Sequence, residues 1–204
     1  MSNKKRGKLV VIEGGVGCGK TTQIKLLKKN LKNWEFYHYP GSTEYGEKVR
    51  DAIQGIYNYK VNEYAAAFGY ASTMANLMMN LIIPKLKKGK NIVMDRYWYT
   101  MYAYQSVGGV SKKLIQNINK IVTDDTKPDL VIFYDLDPKI GMRRKDGKKD
   151  SDKYDIKKVD FHKKVRRNYH EMGKKMGKRW VTIDASKSVE EIQKETSEIL
   201  KNIV

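Results

Sequence analysis

A segment near the start of the chain has the residue types and spacing of a phosphate-binding loop. It fits the pattern G-x-x-x-x-G-K-[ST] and consists of Gly14, Gly15, Val16, Gly17, Cys18, Gly19, Lys20 and Thr21, with Thr22 next. In such loops the glycines let backbone N–H groups converge on phosphate oxygens. The lysine reaches the β and γ phosphates and the hydroxyl helps to hold Mg²⁺. The alternative, a glycine-rich turn without a ligand, gives no reason for a lysine and a threonine to follow. We therefore predict an ATP site here, with Lys20 as a catalytic residue.

This loop lies between an apolar strand and an amphipathic helix, and the same alternation continues along the chain. The predicted strands are Leu9 to Ile12, Phe36 to Tyr39, Asn91 to Met94, Leu130 to Tyr134 and Trp180 to Ile183. The predicted helices are Thr21 to Leu31, Glu44 to Ile53, Glu63 to Lys87, Lys112 to Val122, Ile156 to Met176 and Val189 to Ile203, with Pro84 interrupting the third. Strands that are apolar on both faces and alternate with helices are typical of a covered parallel sheet. We predict an α/β, three-layer P-loop fold with a central parallel five-stranded sheet.

Length and composition limit the remaining possibilities. A chain of 204 residues is long enough for one domain, so residues 1–204 are expected to form a single kinase domain. The single cysteine cannot form an intrachain disulfide, and we find neither a signal-peptide core nor a long uninterrupted apolar run, which predicts a cytoplasmic protein without a membrane partner. The net charge of +18 comes mostly from scattered lysines, which is typical of a solvated surface.

Four further segments, in this order and at these intervals, resemble the thymidylate kinase family. Residues 40–43 and 47–50, PGST and EKVR, resemble its E-P-G-G-T…E-K-L-R segment. Residues 95–97 and 104–105, DRY and YQ, resemble its D-R-[YH]…Y-Q segment with the same spacing. Residues 127–138 resemble its P-D-L-x-x-x-x-D-L-P strand, and residues 183–186 its D-A-S strand end. The resemblance implies an enzyme that transfers the γ-phosphoryl group of ATP to dTMP or a related pyrimidine deoxynucleotide. It also implies Mg²⁺ as cofactor and a homodimer.

The resemblance also implies site residues. Arg50 and Arg96 would hold the monophosphate, for which planar guanidinium groups are suited. Thr21 and Asp95 would hold the metal; the alternative for Asp95 is a helix N-cap. Phe68 or Tyr70 would stack on the base, although aromatic residues in a helix are commonly core residues. The full acceptor set is Glu13, Tyr39, Pro40, Arg50, Phe68, Tyr70, Met74, Arg96, Thr100, Tyr104 and Gln105, and Asp184 joins the ATP site.

A basic segment at about 143–156 is the candidate for a mobile lid. It contains Arg143, Arg144, Lys148 and Lys153, which would close over the transferring phosphoryl group, so that Arg143, Arg144 and Lys153 join Lys20 and Arg96 as catalytic residues. The alternative is a solvated basic helix end. The acceptor phosphate is already ionised at neutral pH, so positioning and charge neutralisation suffice and no general base is required.

Four residues depart from the family pattern and bear on the substrate. Val16 replaces an acidic residue, Tyr39 a glutamate, Met74 an arginine that would read the thymine edge, and Lys153 a lid arginine. A deoxynucleoside kinase is therefore an alternative, with Glu13 as its general base. A nucleic-acid-binding ATPase is a third hypothesis, suggested by the charge, but we find no nucleic-acid-binding motif and predict no specific nucleic-acid partner.

Overall fold

Five strands form one parallel sheet at the centre of the molecule. A computed structural model describes residues 5–55, 57–145 and 153–203. The strands are β1 (Leu9–Gly14), β2 (Trp34–His38), β3 (Asn91–Asp95), β4 (Leu130–Asp135) and β5 (Trp180–Asp184). Their order is β2-β3-β1-β4-β5, and every neighbouring pair is parallel. The predicted sheet is confirmed, and β3 lies beside β1 with Ile12 opposite Asp95.

Nine α-helices connect the strands within the described residues. They are α1 (Lys20–Asn30), α2 (Glu44–Gln54), α3 (Glu63–Leu77), α4 (Ile83–Lys87), α5 (Trp98–Gln105), α6 (Lys112–Val122), α7 (Pro138–Lys145), α8 (Val159–Met176) and α9 (Val189–Lys201). The sequence did not predict α5 or α7. Helix α5 is rich in aromatic residues and buried on most faces, so it lacks helical periodicity, and α7 is short and basic.

Alternate residues of the central strands face two different helical layers. In β1, Leu9 and Val11 pack with α3, α5 and α8, whereas Val10 and Ile12 pack with α1 and α9. All four side chains are fully buried. The strand therefore belongs to the middle layer of three, as predicted. The carboxyl ends of the parallel strands meet at one edge, which is where ligands bind in such sheets.

The long predicted helix Glu63–Lys87 continues through Pro84 with a change of winding. A π-helical turn, Met78–Ile82, joins α3 to α4, and the Ile83 N–H bonds to the Met78 carbonyl five residues back. This wider turn ends two residues before Pro84, which has no N–H to contribute. By length and composition the 25-residue stretch could cross a membrane, but half of its most apolar window is buried inside the fold, and a helix of a protein core passes the same test.

Candidate active site

A cavity of about 650 Å³ opens at the carboxyl edge of the sheet. Most of the residues predicted from the sequence line it: Gly15, Val16, Gly17, Cys18, Gly19, Lys20, Thr21, Thr22, Tyr39, Pro40, Arg50, Tyr70, Asp95, Arg96, Thr100, Tyr104, Gln105 and Arg144. The phosphate loop and most of the predicted acceptor residues therefore line the same cavity.

The phosphate loop turns from β1 into α1 through left-handed backbone. Gly17 and Gly19 have φ values of 61° and 86°, which disfavour any residue with a Cβ. Lys20, the first residue of α1, is only 9% exposed and lines the cavity. No hydrogen bond or ion pair joins its ammonium group to the residues that the structure describes. A largely buried cation at a helix N-terminus is suited to an anionic ligand such as phosphate.

The loop is in backbone contact with α7, the helix that leads into the candidate lid. A Cβ added to Gly141 would lie 2.1 Å from the Val16 carbonyl oxygen, and one added to Gly17 would lie 2.1 Å from the Gly141 carbonyl oxygen. Only glycine at both positions allows the two backbones to approach so closely. The position of the phosphate loop is thus tied to that of α7.

Arg96 follows β3 with a φ of 73°, and one end of its guanidinium group is held by the protein. Its Nη1 donates to the Gly14 carbonyl (3.1 Å), the Thr100 hydroxyl (3.1 Å) and the Tyr169 hydroxyl (3.3 Å). The group lies over the Tyr104 ring, 5.8 Å from its centroid. Within the described residues these hydrogen bonds use Nη1 alone, which leaves Nε and Nη2 for a ligand.

Glu13 is connected to Arg96 through the hydroxyls of Thr100 and Tyr169, and it does not line the cavity. It is fully buried, and its carboxylate accepts from the Tyr97 N–H (2.9 Å), the Thr100 hydroxyl (2.8 Å) and the Tyr169 hydroxyl (3.0 Å). Burial raises the pKa of this carboxyl group, while Arg96 and the three donors oppose that rise. Both carboxylate oxygens are occupied by protein donors, so the geometry suits a structural role rather than that of a general base.

The predicted acceptor end is lined by amides and tyrosines. Gln54 Nε2 donates to the Tyr70 hydroxyl at 3.0 Å, and Gln105 Nε2 donates to the Tyr154 hydroxyl at 2.9 Å. Arg50 lies on the same wall, is 45% exposed and faces Glu47 at 3.6 Å. Two arginines, Arg50 and Arg96, thus supply positive charge at this end of the cavity.

Asp95 and Thr21 are the candidates for holding a cation. Both line the cavity, and Asp95 Oδ1 is a buried oxygen without a hydrogen-bond partner among the described residues. No group of three or more His, Cys, Asp or Glu side chains suitable for a metal occurs in that part of the chain. Mg²⁺ typically takes one or two protein oxygens and completes its shell with phosphates and water, so a carboxylate and a hydroxyl fit this ion.

The basic residues of the candidate lid segment differ in whether they line the cavity. Both Arg143 and Arg144 are exposed, but only Arg144 lines the cavity, where its Nη1 donates to the Ala185 carbonyl at 3.1 Å. Arg143 Nε donates to the Lys139 carbonyl at 3.3 Å. Lys153 lies with its ammonium group 5.0 Å from the Tyr154 ring centroid. Lys148 and the remainder of 146–152 lie outside the described residues.

Several predicted site residues are absent from the described lining of the cavity. Phe68 is 55% exposed on α3, Met74 is completely buried in the core, and Asp184 is exposed and accepts from the Ser186 N–H. Gly14, Glu13, Arg143 and Lys153 are also outside the lining.

Other lining residues were not predicted from the sequence. They are Gln23, His38, Gln54, Met101, Lys145, Tyr154, Asp155, Lys187, Val189 and Ile192. Lys187 and Val189 lie within three residues after the D-A-S segment, so that segment could have located them. The Lys145–Asp155 ion pair joins two residues of the candidate lid segment, and no local sequence pattern predicted this contact.

The parallel sheet, the phosphate loop and the facing arginines define a P-loop nucleotide kinase. The family model described as thymidylate kinase matches residues 12–196. A thymidylate kinase of Thermoanaerobacter sp. (strain X514) is 34% identical over 201 residues, covering 96% of this chain and 98% of the relative. Those of Caldanaerobacter subterraneus subsp. tengcongensis and Clostridium novyi (strain NT) are 35% and 30% identical, covering 93% and 96% of this chain and 92% and 99% of theirs. The chain belongs to the thymidylate kinase family.

Proposed function

We propose that this chain is an ATP-dependent kinase that transfers the γ-phosphoryl group to dTMP and forms the diphosphate. The observation that carries the proposal is a single cavity lined at once by the phosphate loop and by Arg50 and Arg96. Family membership supports the same activity. A kinase for a free nucleoside would need a base, and Glu13, the predicted candidate, is buried outside the cavity.

In this mechanism the protein positions two anions and neutralises their charge. Lys20 and the loop N–H groups hold the β and γ phosphates, and Arg96 and Arg50 hold the acceptor phosphate. An acceptor phosphate oxygen attacks the γ phosphorus while the bond to the β-γ bridging oxygen breaks, and ADP leaves. Arg144 stabilises the transferring group, and its position in the cavity lining supports this role.

Mg²⁺ would be held by Asp95 and Thr21 together with ATP. When bound, such an ion neutralises phosphate charge during transfer. The buried, unpartnered Oδ1 of Asp95 supports this assignment.

The test is a coupled assay of ADP release with Mg²⁺-ATP and dTMP, dUMP, dCMP, dGMP, UMP or thymidine. We expect turnover of dTMP. The variant Arg96→Ala should lower kcat/KM for dTMP by at least about 100-fold, since it removes charge-assisted hydrogen bonds. Arg179→Ala is the matched control, because Arg179 is exposed and outside the cavity lining. Full activity of Arg96→Ala, or turnover of thymidine alone, would contradict the proposal.

A cytoplasmic homodimer with one kinase domain over residues 1–204, including a lid at about 143–156, completes the proposal. The exposed side chains of Tyr64, Phe68 and Met79, which are 48%, 55% and 44% accessible, offer an apolar face of the long helical segment to a second copy. Sedimentation analysis should give twice the chain mass, and Phe68→Glu should shift it to the single-chain mass.

A further inference from the structure

Arg96 makes one hydrogen bond to a side chain that lies outside the cavity lining. Its Nη1 has two protons and three acceptors, the Gly14 carbonyl and the hydroxyls of Thr100 and Tyr169. Gly14 and Thr100 belong to segments that line or adjoin the cavity. Tyr169 comes from α8, the helix that follows the lid segment, and lies 73 residues from Arg96 in the sequence.

The Tyr169 ring is a core side chain, and only its hydroxyl reaches the site. The residue is 1% exposed, and its ring stacks on Phe133 with 5.0 Å between centroids. The hydroxyl lies 3.0 Å from both Glu13 Oε2 and the Thr100 hydroxyl. A phenylalanine at this position would pack against the core equally well. The role of the Tyr169 hydroxyl must therefore lie in its hydrogen bonds.

The direction of these hydrogen bonds follows from the groups involved. A guanidinium group only donates, so the oxygens of Tyr169 and Thr100 must accept from Arg96. Each hydroxyl then has one proton left, and Glu13 Oε2 lies within 3.0 Å of both. The two hydroxyls therefore connect the buried carboxylate to the guanidinium group, and Glu13 makes no direct bond to Arg96 in the described structure.

We infer that Tyr169 is a positioning residue for acceptor binding: its hydroxyl, oriented by Glu13, fixes Nη1 of Arg96 so that Nε and Nη2 face the cavity. This inference rests on the proposed role of Arg96 in holding the acceptor phosphate. It also connects the helix after the lid to the residue that holds the acceptor. Loss of the hydroxyl leaves the ring packing in place, but it removes one of the three acceptors of Nη1 and one of the two hydroxyls that connect Glu13 to Arg96, so the guanidinium group is held less firmly.

The test is Tyr169→Phe, assayed with dTMP and ATP varied separately. We expect kcat/KM for dTMP to fall about 10- to 100-fold, as for loss of a hydrogen bond to a charged group, while KM for ATP stays within about two-fold. Tyr134→Phe is the matched control, since Tyr134 is equally buried and loses one hydroxyl bond, to Thr196, outside this network. Equal losses in both variants, or a rise in KM for ATP alone, would overturn the inference.

Two further measurements separate positioning from general stability. In an Arg96→Lys background, Tyr169→Phe should lower kcat/KM for dTMP by less than about two-fold, because the hydroxyl acts through the guanidinium group. In the unsubstituted protein, NMR should show hindered rotation of the Arg96 Nη1 group, and this measurement stands even if Tyr169→Phe does not fold. Free rotation would refute the inference. If the unsubstituted protein does not phosphorylate dTMP, the proposed function fails instead, and the NMR result remains interpretable.

Discussion

The substitution Gly141→Ala should impair catalysis from outside the cavity. The new Cβ would lie 2.1 Å from the Val16 carbonyl oxygen and 3.1 Å from the Val16 carbonyl carbon. Since a carbon in contact with such an oxygen normally lies about 3.3 Å away, the phosphate loop or α7 must move by about 1.2 Å. Both obstructing atoms belong to the backbone, so no side-chain rotation can relieve the contact.

The expected loss is large for activity and small for stability. A displacement of about 1 Å in a positioning element can cost about 100-fold in rate, so kcat/KM for ATP should fall by about that factor. Overpacking lowers the free energy of unfolding by about 1–3 kcal/mol, and the better helix propensity of alanine raises it by about 0.5–1 kcal/mol. The melting temperature should therefore fall by only a few degrees in a chain of this size.

Steady-state kinetics with ATP varied at saturating dTMP, together with thermal unfolding, would measure both effects. Gly69→Ala in α3 is the control, because the one close contact of its Cβ would be with the end of the Ile53 side chain, at 2.6 Å, which can rotate, and Val49 would lie at an ordinary 3.5 Å. It should retain activity. Unchanged kcat and KM in Gly141→Ala would refute the view that α7 determines the position of the phosphate loop.

Two further predictions concern charge. Asp95→Asn should raise the Mg²⁺ concentration needed for half-maximal activity by about 10-fold or more, measured by Mg²⁺ titration at fixed ATP; an unchanged requirement would remove Asp95 from the metal site. Hydrogen bonds from Lys112, Lys175 and Tyr102 lower the pKa of Glu171 to about 2, so its ionised form stabilises the fold at neutral pH and that contribution is lost as the pH falls from about 4.5 towards 2. Because Glu171 is 39% exposed, Glu171→Gln should cost less than about 1 kcal/mol at pH 7, and the unfolding curves of the two proteins should converge near pH 2; a difference that is independent of pH would contradict the assignment.

The sheet and the phosphate loop were predictable because their signals are local. A lysine and a threonine at fixed distances from glycines specify a loop, and apolar runs of strand length specify buried strands. Helix α5 was not predictable in this way. Its aromatic residues are buried on most sides, so the periodicity that marks a surface helix is missing.

The acceptor end was only partly predictable. A helical sequence pattern indicates which residues share a face of the helix, but not which other elements that face contacts. Phe68 and Tyr70 are two residues apart, so with about 3.6 residues per turn they point in nearly opposite directions. The structure has Tyr70 on the cavity and Phe68 exposed. Tyr169 could not be found at all, since its bond to Glu13 joins residues 156 positions apart and no local pattern marks it.

The phosphate loop also contains the only thiol of the chain. Cys18 lies between two glycines of the loop, lines the cavity and is 2% exposed. A thiol-specific reagent therefore has one target in the whole protein, and that target is almost inaccessible in this structure. The rate of labelling would therefore measure how often the loop opens enough to expose Cys18. Slower labelling in the presence of nucleotide would report occupancy of the ATP site without any added tag or substitution.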